Sequence, residues 1–314
     1  KKAQEERLED MTPCIACLQG CVANMYAGNP VCCLTNPFLG HEAEPLEKAE
    51  EPKKVMVIGG GVAGLSAAFI AKERGHEVTL YEAGDVLGGN MRLAAYPPGK
   101  GDITNMIRSY IHRCQKDGVK IVMNCEVTPE LIKEEKPDSV IIATGSKTLI
   151  LPIEGIDNPA IIHGSDLLDG KRPAGKKVLV VGGGMVGCET AAFLGEQEHD
   201  VTVIEFRDTV GADVIHEHRV YLMKDFEDYG IKEITGAKVC KFYEDGVEYE
   251  TADGVRHETR GYDSVILSMG FRNYNPLEEK IKDLVPETHV IGDAIRARRA
   301  LDATKEAYEV ASRL

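Results

Sequence analysis

Lys53-Lys54-Val55-Met56-Val57-Ile58-Gly59-Gly60-Gly61-Val62-Ala63-Gly64 opens the stretch whose reading decides the fold. It continues through a helical segment from Leu65 to Arg74, a stop at Gly75, and Val78-Thr79-Leu80-Tyr81 ending at Glu82. A short, wholly apolar run suits a strand buried on both faces of a parallel sheet. Gly59 permits the tight turn out of that strand, and Gly61 lets a pyrophosphate approach the backbone. Gly64 lets the helix pack closely on the sheet, so that its N-terminal N–H groups face the phosphates. Glu82, closing the second strand, is placed to accept hydrogen bonds from ribose hydroxyls. A glycine-rich turn alone can be only a turn. With a strand before, a helix after and an acid at the right distance, the stretch predicts a dinucleotide site.

The chain then repeats itself. Lys176-Lys177, Val178-Leu179-Val180-Val181, Gly182-Gly183-Gly184-Met185-Val186-Gly187 and Val201-Thr202-Val203-Ile204-Glu205 form a second copy. Each landmark lies 123 residues after its counterpart, Gly59 to Gly182, Gly64 to Gly187 and Glu82 to Glu205. So long a period points to two homologous domains, not to a solenoid of short repeats. A further echo joins Asp138-Ser139-Val140-Ile141-Ile142-Ala143-Thr144-Gly145 to Asp263-Ser264-Val265-Ile266-Leu267-Ser268-Met269-Gly270. Two dinucleotide sites in one chain suggest one bound flavin and one exchanging nicotinamide.

With 314 residues, 43% of them hydrophobic, two domains of ordinary size are expected. No apolar run approaches the roughly 18 residues needed to span a bilayer. A net charge of −14 argues against nucleic acid or an anionic membrane surface as partner. Nine cysteines without a secretory signal pattern suggest a reducing cytoplasm and metal or redox chemistry. The sequence begins at Lys1 without an initiator methionine, as a fragment would.

Five of the nine cysteines, Cys14, Cys17, Cys21, Cys32 and Cys33, fall within residues 1–51. Cys14, Cys17, Cys21 and Cys33 satisfy C-x2-C-x3-C-x11-C. Thiolates two and three residues apart can wrap one side of a cluster that a distant fourth closes, as iron–sulfur ligation requires. Four thiolates also suit tetrahedral zinc. Zinc sites more often pair two CxxC knuckles, and this segment holds one. Cys32 competes with Cys33 for the fourth place. Gly20 and Gly28 read as points of pliability, His41 to Pro52 as a linker, and His41 as a surface residue.

Beyond the first nucleotide unit, Gly88-Gly89-Asn90 forms another glycine turn that could lie against flavin phosphates. Asp102 to Asp117 reads as an amphipathic helix with Ile103, Met106, Ile107, Tyr110, Ile111 and Cys114 on one face and Gly118 as its stop. Cys114, Cys125 and Cys188 read as packing residues, and Val119–Met123 and Val127 as short strands. A helix is expected from about Asp213 to Tyr229, then a meander turning at Asp245-Gly246 and Asp253-Gly254. The last 50 residues return to the first domain. His289-Val290-Ile291 leads to Gly292-Asp293, where Asp293 could bind a ribityl hydroxyl, and a final helix starts near Asp302 as N-cap. The divisions are 1–51, then 52–152 with 263–314, and an inserted 153–262.

The chain resembles the electron-supplying half of the iron–sulfur flavoenzymes of the old yellow enzyme group, such as 2,4-dienoyl-CoA reductase, 2-enoate reductase, trimethylamine dehydrogenase and the bile-acid NADH-dependent flavin oxidoreductases. The resemblance covers essentially the whole chain. It rests on Pro13-Cys14-Ile15-Ala16-Cys17-Leu18-Gln19-Gly20-Cys21, Cys33 with Asn36-Pro37 and Gly40-His41-Glu42, both GGGxxG units, Ala143-Thr144-Gly145 and Gly292-Asp293. It implies an α/β fold with an FAD domain, an inserted NAD(P) domain and a leading [4Fe–4S] segment. FAD is then expected at Gly59, Gly61, Gly64, Glu82, Gly89, Val127, Thr144, Gly145 and Asp293, and NADH at Gly182, Gly184, Gly187 and Glu205. Hydride would pass from NADH to FAD, and single electrons through the cluster to FMN. In that family FMN sits in a preceding (β/α)8 barrel, which this sequence lacks. No side chain is required as acid or base in the NADH-to-FAD step. Glu205 favours NADH over NADPH, since a carboxylate repels a 2′-phosphate, although Arg207 could soften that preference.

Rival readings differ in their cysteines or their metal. A thioredoxin reductase-like enzyme needs a redox cysteine pair, and no CxxC or CxxxxC occurs after residue 33. An electron-feeding subunit of another flavoenzyme, like the small subunit of glutamate synthase, needs more amino-terminal cysteines. A non-catalytic NADH-binding module would carry zinc in place of the cluster.

Overall fold

The computed structural model of the chain describes residues 2–314; Lys1, the first residue of the cysteine segment, lies outside them. The backbone divides into two compact units. One comprises residues up to Ala95, Asp102–Lys147 and Arg272–Leu314, and the other comprises Tyr96–Gly101 and Thr148–Phe271.

In the first unit, β1 (Lys54–Ile58) leads through the glycine turn into α1 (Val62–Glu73) and then β2 (Glu77–Tyr81). A parallel sheet forms in the order Glu287–Val290, β3 (Ser139–Ile142), β1, β2, Lys120–Val122. Alternate residues of β1 enter different cores: Val55 and Val57 pack with α1, whereas Met56 and Ile58 pack with Tyr81, Val127 and Val140. That two-sided burial explains why the strand is apolar throughout. α1 is buried along nearly its whole length, under α2 (Ile103–Asp117) and the C-terminal helix Ala300–Ala311. Gly118 ends α2 at φ +81°, donating its N–H to the last turn. The C-terminal helix begins two residues before the expected Asp302. Asp302 is not its N-cap; its carboxylate reaches back to accept from the Arg299 N–H (3.2 Å), closing a capping box.

The cysteine segment is part of this unit's core. Leu34 is fully buried and Ile15 nearly so, both in the cluster that holds Phe69 and Met106. The Tyr110 hydroxyl donates to the Leu34 carbonyl (3.0 Å), and His41 stacks on Tyr308 with ring centroids 4.3 Å apart. Gly20 serves close approach, not pliability: a Cβ there would collide with the Cys32 carbonyl.

The second unit repeats the plan with β4 (Lys177–Val181), α3 (Met185–Glu196) and β5 (Asp200–Ile204). Its parallel sheet runs Ile162–His163, Ser264–Leu267, β4, β5, Lys232–Ile234, and Lys238–Tyr243, Gly246–Glu250 and Arg256–Thr259 form an antiparallel meander. The helix after Glu205 spans His216–Asp228, starting three residues later than expected, because Asp213 is engaged elsewhere, accepting from the Met185 N–H. Among the described residues no helix is long and apolar enough to cross a membrane.

Because Leu34 lies in the main core, Leu34→Ala is expected to lower the unfolding free energy of the apo chain by about 2–5 kcal/mol in urea. Leu8→Ala, at an exposed position, should change it by no more than about 0.5 kcal/mol. Equal effects would show that the cysteine segment is not part of the cooperative unit.

Candidate functional site

At the first glycine loop, Gly59 adopts φ +107° and its Cα faces the Ala143 carbonyl closely enough that a Cβ would clash. Gly64 packs so tightly on the Gly59 carbonyl that a Cβ there would collide with it. This contact fixes the start of α1 at the end of β1. By contrast, a Cβ at Gly61 would meet nothing within 4 Å, and no side chain caps α1. Open space therefore faces a helix N-terminus whose first N–H groups lack intrahelical partners, as an anion site requires. Glu82 is held beside it, accepting from the Gly60 N–H (2.7 Å) and the Gly84 N–H (2.7 Å).

Loops from three further places converge on this end of the sheet. Gly88 donates to the Gly60 carbonyl (2.8 Å), and a Cβ at Gly89 would lie 3.2 Å from the Gly61 Cα. The Thr144 hydroxyl donates to the Tyr274 carbonyl, and Gly145, at φ +75°, accepts from the Tyr274 N–H (2.9 Å). Gly292 stands against Ala63 of α1, which brings Asp293 to the same end. Asp293 accepts from the Ser146 hydroxyl (2.8 Å) and the Arg298 N–H (3.1 Å), and Asn90 donates to the same Ser146 hydroxyl (3.3 Å). Asn90 belongs to the glycine turn singled out in the sequence; Ser146 was not singled out there, and its adjacency to Thr144-Gly145 was the available signal. Val127 differs from the other expected residues. Its side chain is buried with Met56 and Tyr81.

The second loop repeats these contacts. Gly182 has φ +106° under the Ser268 carbonyl, and Gly187 packs on the Gly182 carbonyl. Glu205 accepts from the Gly183 N–H (2.6 Å) and the Arg207 N–H (2.9 Å). Gly184, however, faces Asp213, whose carboxylate accepts from the Met185 N–H (2.9 Å).

On α3 the structure adds a charged pair that no sequence spacing announces. Glu189 is buried and forms an ion pair with Lys100, 89 positions away in sequence. Burial raises the Glu189 carboxyl above its ordinary range, with Lys100 opposing that shift.

The cysteine loop is wound tightly around Cys17. Ala16 and Leu18 both take left-handed backbone conformations, at φ +50° and +55°, and the Ala16 N–H donates to the Cys14 sulfur (3.4 Å). Burial raises the Cys17 thiol, and the charges of Cys33, Cys21 and Cys14, each within reach of Cys17, push in the same direction. The Cys32 sulfur accepts from the Asn24 side-chain amide (3.4 Å), and the Cys33 sulfur meets the Thr35 hydroxyl (3.3 Å). Among the described residues, no three His, Cys, Asp or Glu side chains stand close enough to share a single metal ion. Cys114 and Cys188 are buried, each thiol pushed by burial up to about 12.

Two Rossmann-type units, each with a glycine loop and a fixed acid, define an oxidoreductase that binds FAD and a nicotinamide nucleotide. The chain belongs to the pyridine nucleotide-disulphide oxidoreductase family, which it matches over residues 53–289. It is 32% identical, over 99% of its length and 51% of the relative's, to a metal reductase of Desulforamulus reducens. To a cinnamate reductase of Clostridium sporogenes it is 33% identical, over 100% of its length and 47% of the relative's. The solved structure of 2-naphthoyl-CoA reductase with 2-naphthoyl-CoA superposes on all of this chain and 48% of that one, with TM-score 0.95 and 33% identity. The chain thus spans about half the length of the curated relatives it matches.

The two glycine roles separate experimentally. Gly64→Ala is expected to destabilise the apo chain by about 1–3 kcal/mol through overpacking, while Gly61→Ala leaves its stability intact and weakens FAD binding. Chemical denaturation and flavin retention read the two effects; a Gly61→Ala protein with normal FAD affinity would contradict the assignment. For Glu189, a native-state carboxyl raised above its unfolded value binds its proton more tightly when folded. Stability should therefore fall as pH rises from the ordinary carboxylate range through the raised value. Glu189→Gln should flatten that slope in urea titrations run upward from the ordinary carboxylate range.

Proposed function

We propose that this chain is the electron-input module of an NADH-dependent flavin oxidoreductase, with FAD held by the first unit and NADH by the second, whose sheet includes Ser264–Leu267, a strand that the sequence reading gave to the FAD domain. The observation that carries the reading is the open, uncapped start of α1 at Gly61, with Glu82 fixed beside it. Gly59, Gly64, Gly89, Val127, Thr144, Gly145 and Asp293 would complete the FAD seat. Gly182, Gly184, Gly187 and Glu205 would serve the nicotinamide nucleotide. Glu205, its carboxylate already committed to two loop amides, puts a fixed negative charge where a 2′-phosphate would fall, which favours NADH.

Residues 1–51 would hold a [4Fe–4S] cluster through Cys14, Cys17, Cys21 and Cys33. Two features support this donor set: the charges of Cys14, Cys21 and Cys33 all act on Cys17, and an N–H donates to the Cys14 sulfur. A single zinc would need its thiolates about 2.3 Å from one point, whereas a cluster holds its ligands farther apart. When bound, FAD would supply two-electron acceptance from NADH and the cluster would supply transfer of electrons one at a time. The chain's own groups would align the nucleotides and fix Glu82 and Glu205, and no side chain need act as acid or base in the hydride step.

The relatives' extra length supports a further domain in the whole protein, which we assign to an FMN-binding (β/α)8 barrel. The names of the cinnamate and 2-naphthoyl-CoA reductases support reduction of an activated C=C bond there, as in an enoate, enone or acyl-CoA. We assign the protein to the cytoplasm, a reading supported by its free cysteines, which suit a reducing compartment.

An anaerobic NADH titration of the reconstituted chain, with NADPH as control, tests this reading. NADH is expected to bleach a flavin band and then the broad cluster absorbance, with NADPH much less effective. Iron and acid-labile sulfide should each approach about four per chain, persist in Cys32→Ser and be lost in Cys33→Ser. A chain that binds zinc without sulfide and no flavin would establish the non-catalytic alternative.

A further inference from the structure

The repeat relating the two nucleotide loops extends to their hydrogen bonds. The Gly88 N–H donates to the Gly60 carbonyl at 2.8 Å, and the Gly211 N–H donates to the Gly183 carbonyl at 2.7 Å. Gly60 and Gly183 are counterparts, as are Gly88 and Gly211. Two residues further on, Asn90 and Asp213 therefore occupy equivalent positions, again 123 apart. Their side chains go different ways. The Asn90 amide turns to Ser146 (3.3 Å) and leaves α1 uncapped. The Asp213 carboxylate accepts from the N–H of Met185, the first residue of α3 (2.9 Å), and lies 3.5 Å from the position of a Cβ on Gly184. At the first helix the anion seat is open; at the second, the chain's own carboxylate sits in it.

We propose that Asp213 competes internally for the pyrophosphate seat of the second site and sets its affinity, keeping the nicotinamide nucleotide exchangeable. The neutral Asn90 offers no such competition, so the first site retains its flavin. This rests on the reading of the two loops as FAD and NADH seats. Both anions seek the same N–H donors, so a dinucleotide must displace the carboxylate to reach them. Once displaced, that carboxylate remains a like charge beside the phosphates. Departure of the oxidised nucleotide is helped by the reverse step, since the Asp213–Met185 bond re-forms as the phosphates leave. The acid at the end of β5 does not explain the difference, because Glu82 and Glu205 bind their loops alike.

The test compares wild type, Asp213→Asn and Asp213→Ala by titration with NADH and with ADP-ribose, which keeps the pyrophosphate but cannot react. Both variants are expected to bind both ligands about tenfold more tightly, with thermal midpoints slightly lowered by loss of the bond to the Met185 N–H. In the reciprocal variant, Asn90→Asp, FAD should be lost about tenfold more readily on dilution. If wild type binds both ligands and neither Asp213 variant binds more tightly, the competition is overturned while the NADH reading stands. If wild type binds neither ligand, both fall. Unaltered FAD retention in Asn90→Asp overturns the role given to Asn90.

Discussion

The contact between Gly64 and the Gly59 carbonyl governs the rest of the first unit. A side chain at residue 64 would push α1 away from the strand end, and the open space at Gly61 would no longer lie at the helix N-terminus. With that approach secured, the neighbouring loops have fixed places to meet. The Ala143 carbonyl presses on Gly59, Gly89 on Gly61, and Gly292 on Ala63. The acid at the end of β2 then closes on the Gly60 amide. Gly187 and the Gly182 carbonyl perform the same service in the second unit. Ligand binding at the carboxyl ends of parallel strands follows from this geometry, since only there do helix N-termini and loop amides face one open space.

The cysteine segment depends on a different constraint. Left-handed conformations at Ala16 and Leu18 each cost roughly 1–2 kcal/mol. Burial of Leu34 and Ile15 and the stack of His41 on Tyr308 hold the segment against that strain. The loop's shape around Cys17 is therefore held by contacts several residues away.

Most of the frame was legible because it is local. The runs Val55–Ile58 and Val178–Val181, the glycine spacings and the one-sided face of α2 each reveal their structure within a dozen residues. Legibility failed where a side chain serves a distant partner. Nothing in sequence joins Lys100 to Glu189, or Ser146 to both Asn90 and Asp293. Asp302 looked like a first cap because carboxylates favour that place, yet at the third helical position it can still reach the N-cap amide. Asp213 misled in the same manner: an acid ahead of a helical run reads as its start, and here it bonds a different helix. Val127 reads as a strand residue, but it lies outside any strand and its side chain is core.

The two copies also show how one backbone frame serves two ligands. Glycines, turn hydrogen bonds and acids coincide, so the divergence lies in side chains at matched positions. Ser66, buried in α1, corresponds to Glu189 in α3, and Asn90 corresponds to Asp213. Both exchanges introduce a carboxylate into the second unit. Glu189 is buried and balanced by Lys100; Asp213 is exposed and balanced by a helix N-terminus. In each case the balancing group is one that an anionic or polar ligand would also seek. The second unit thus satisfies internally what the first leaves open, and a ligand must exchange contacts there instead of simply adding them. Such exchange lowers net affinity without altering the frame.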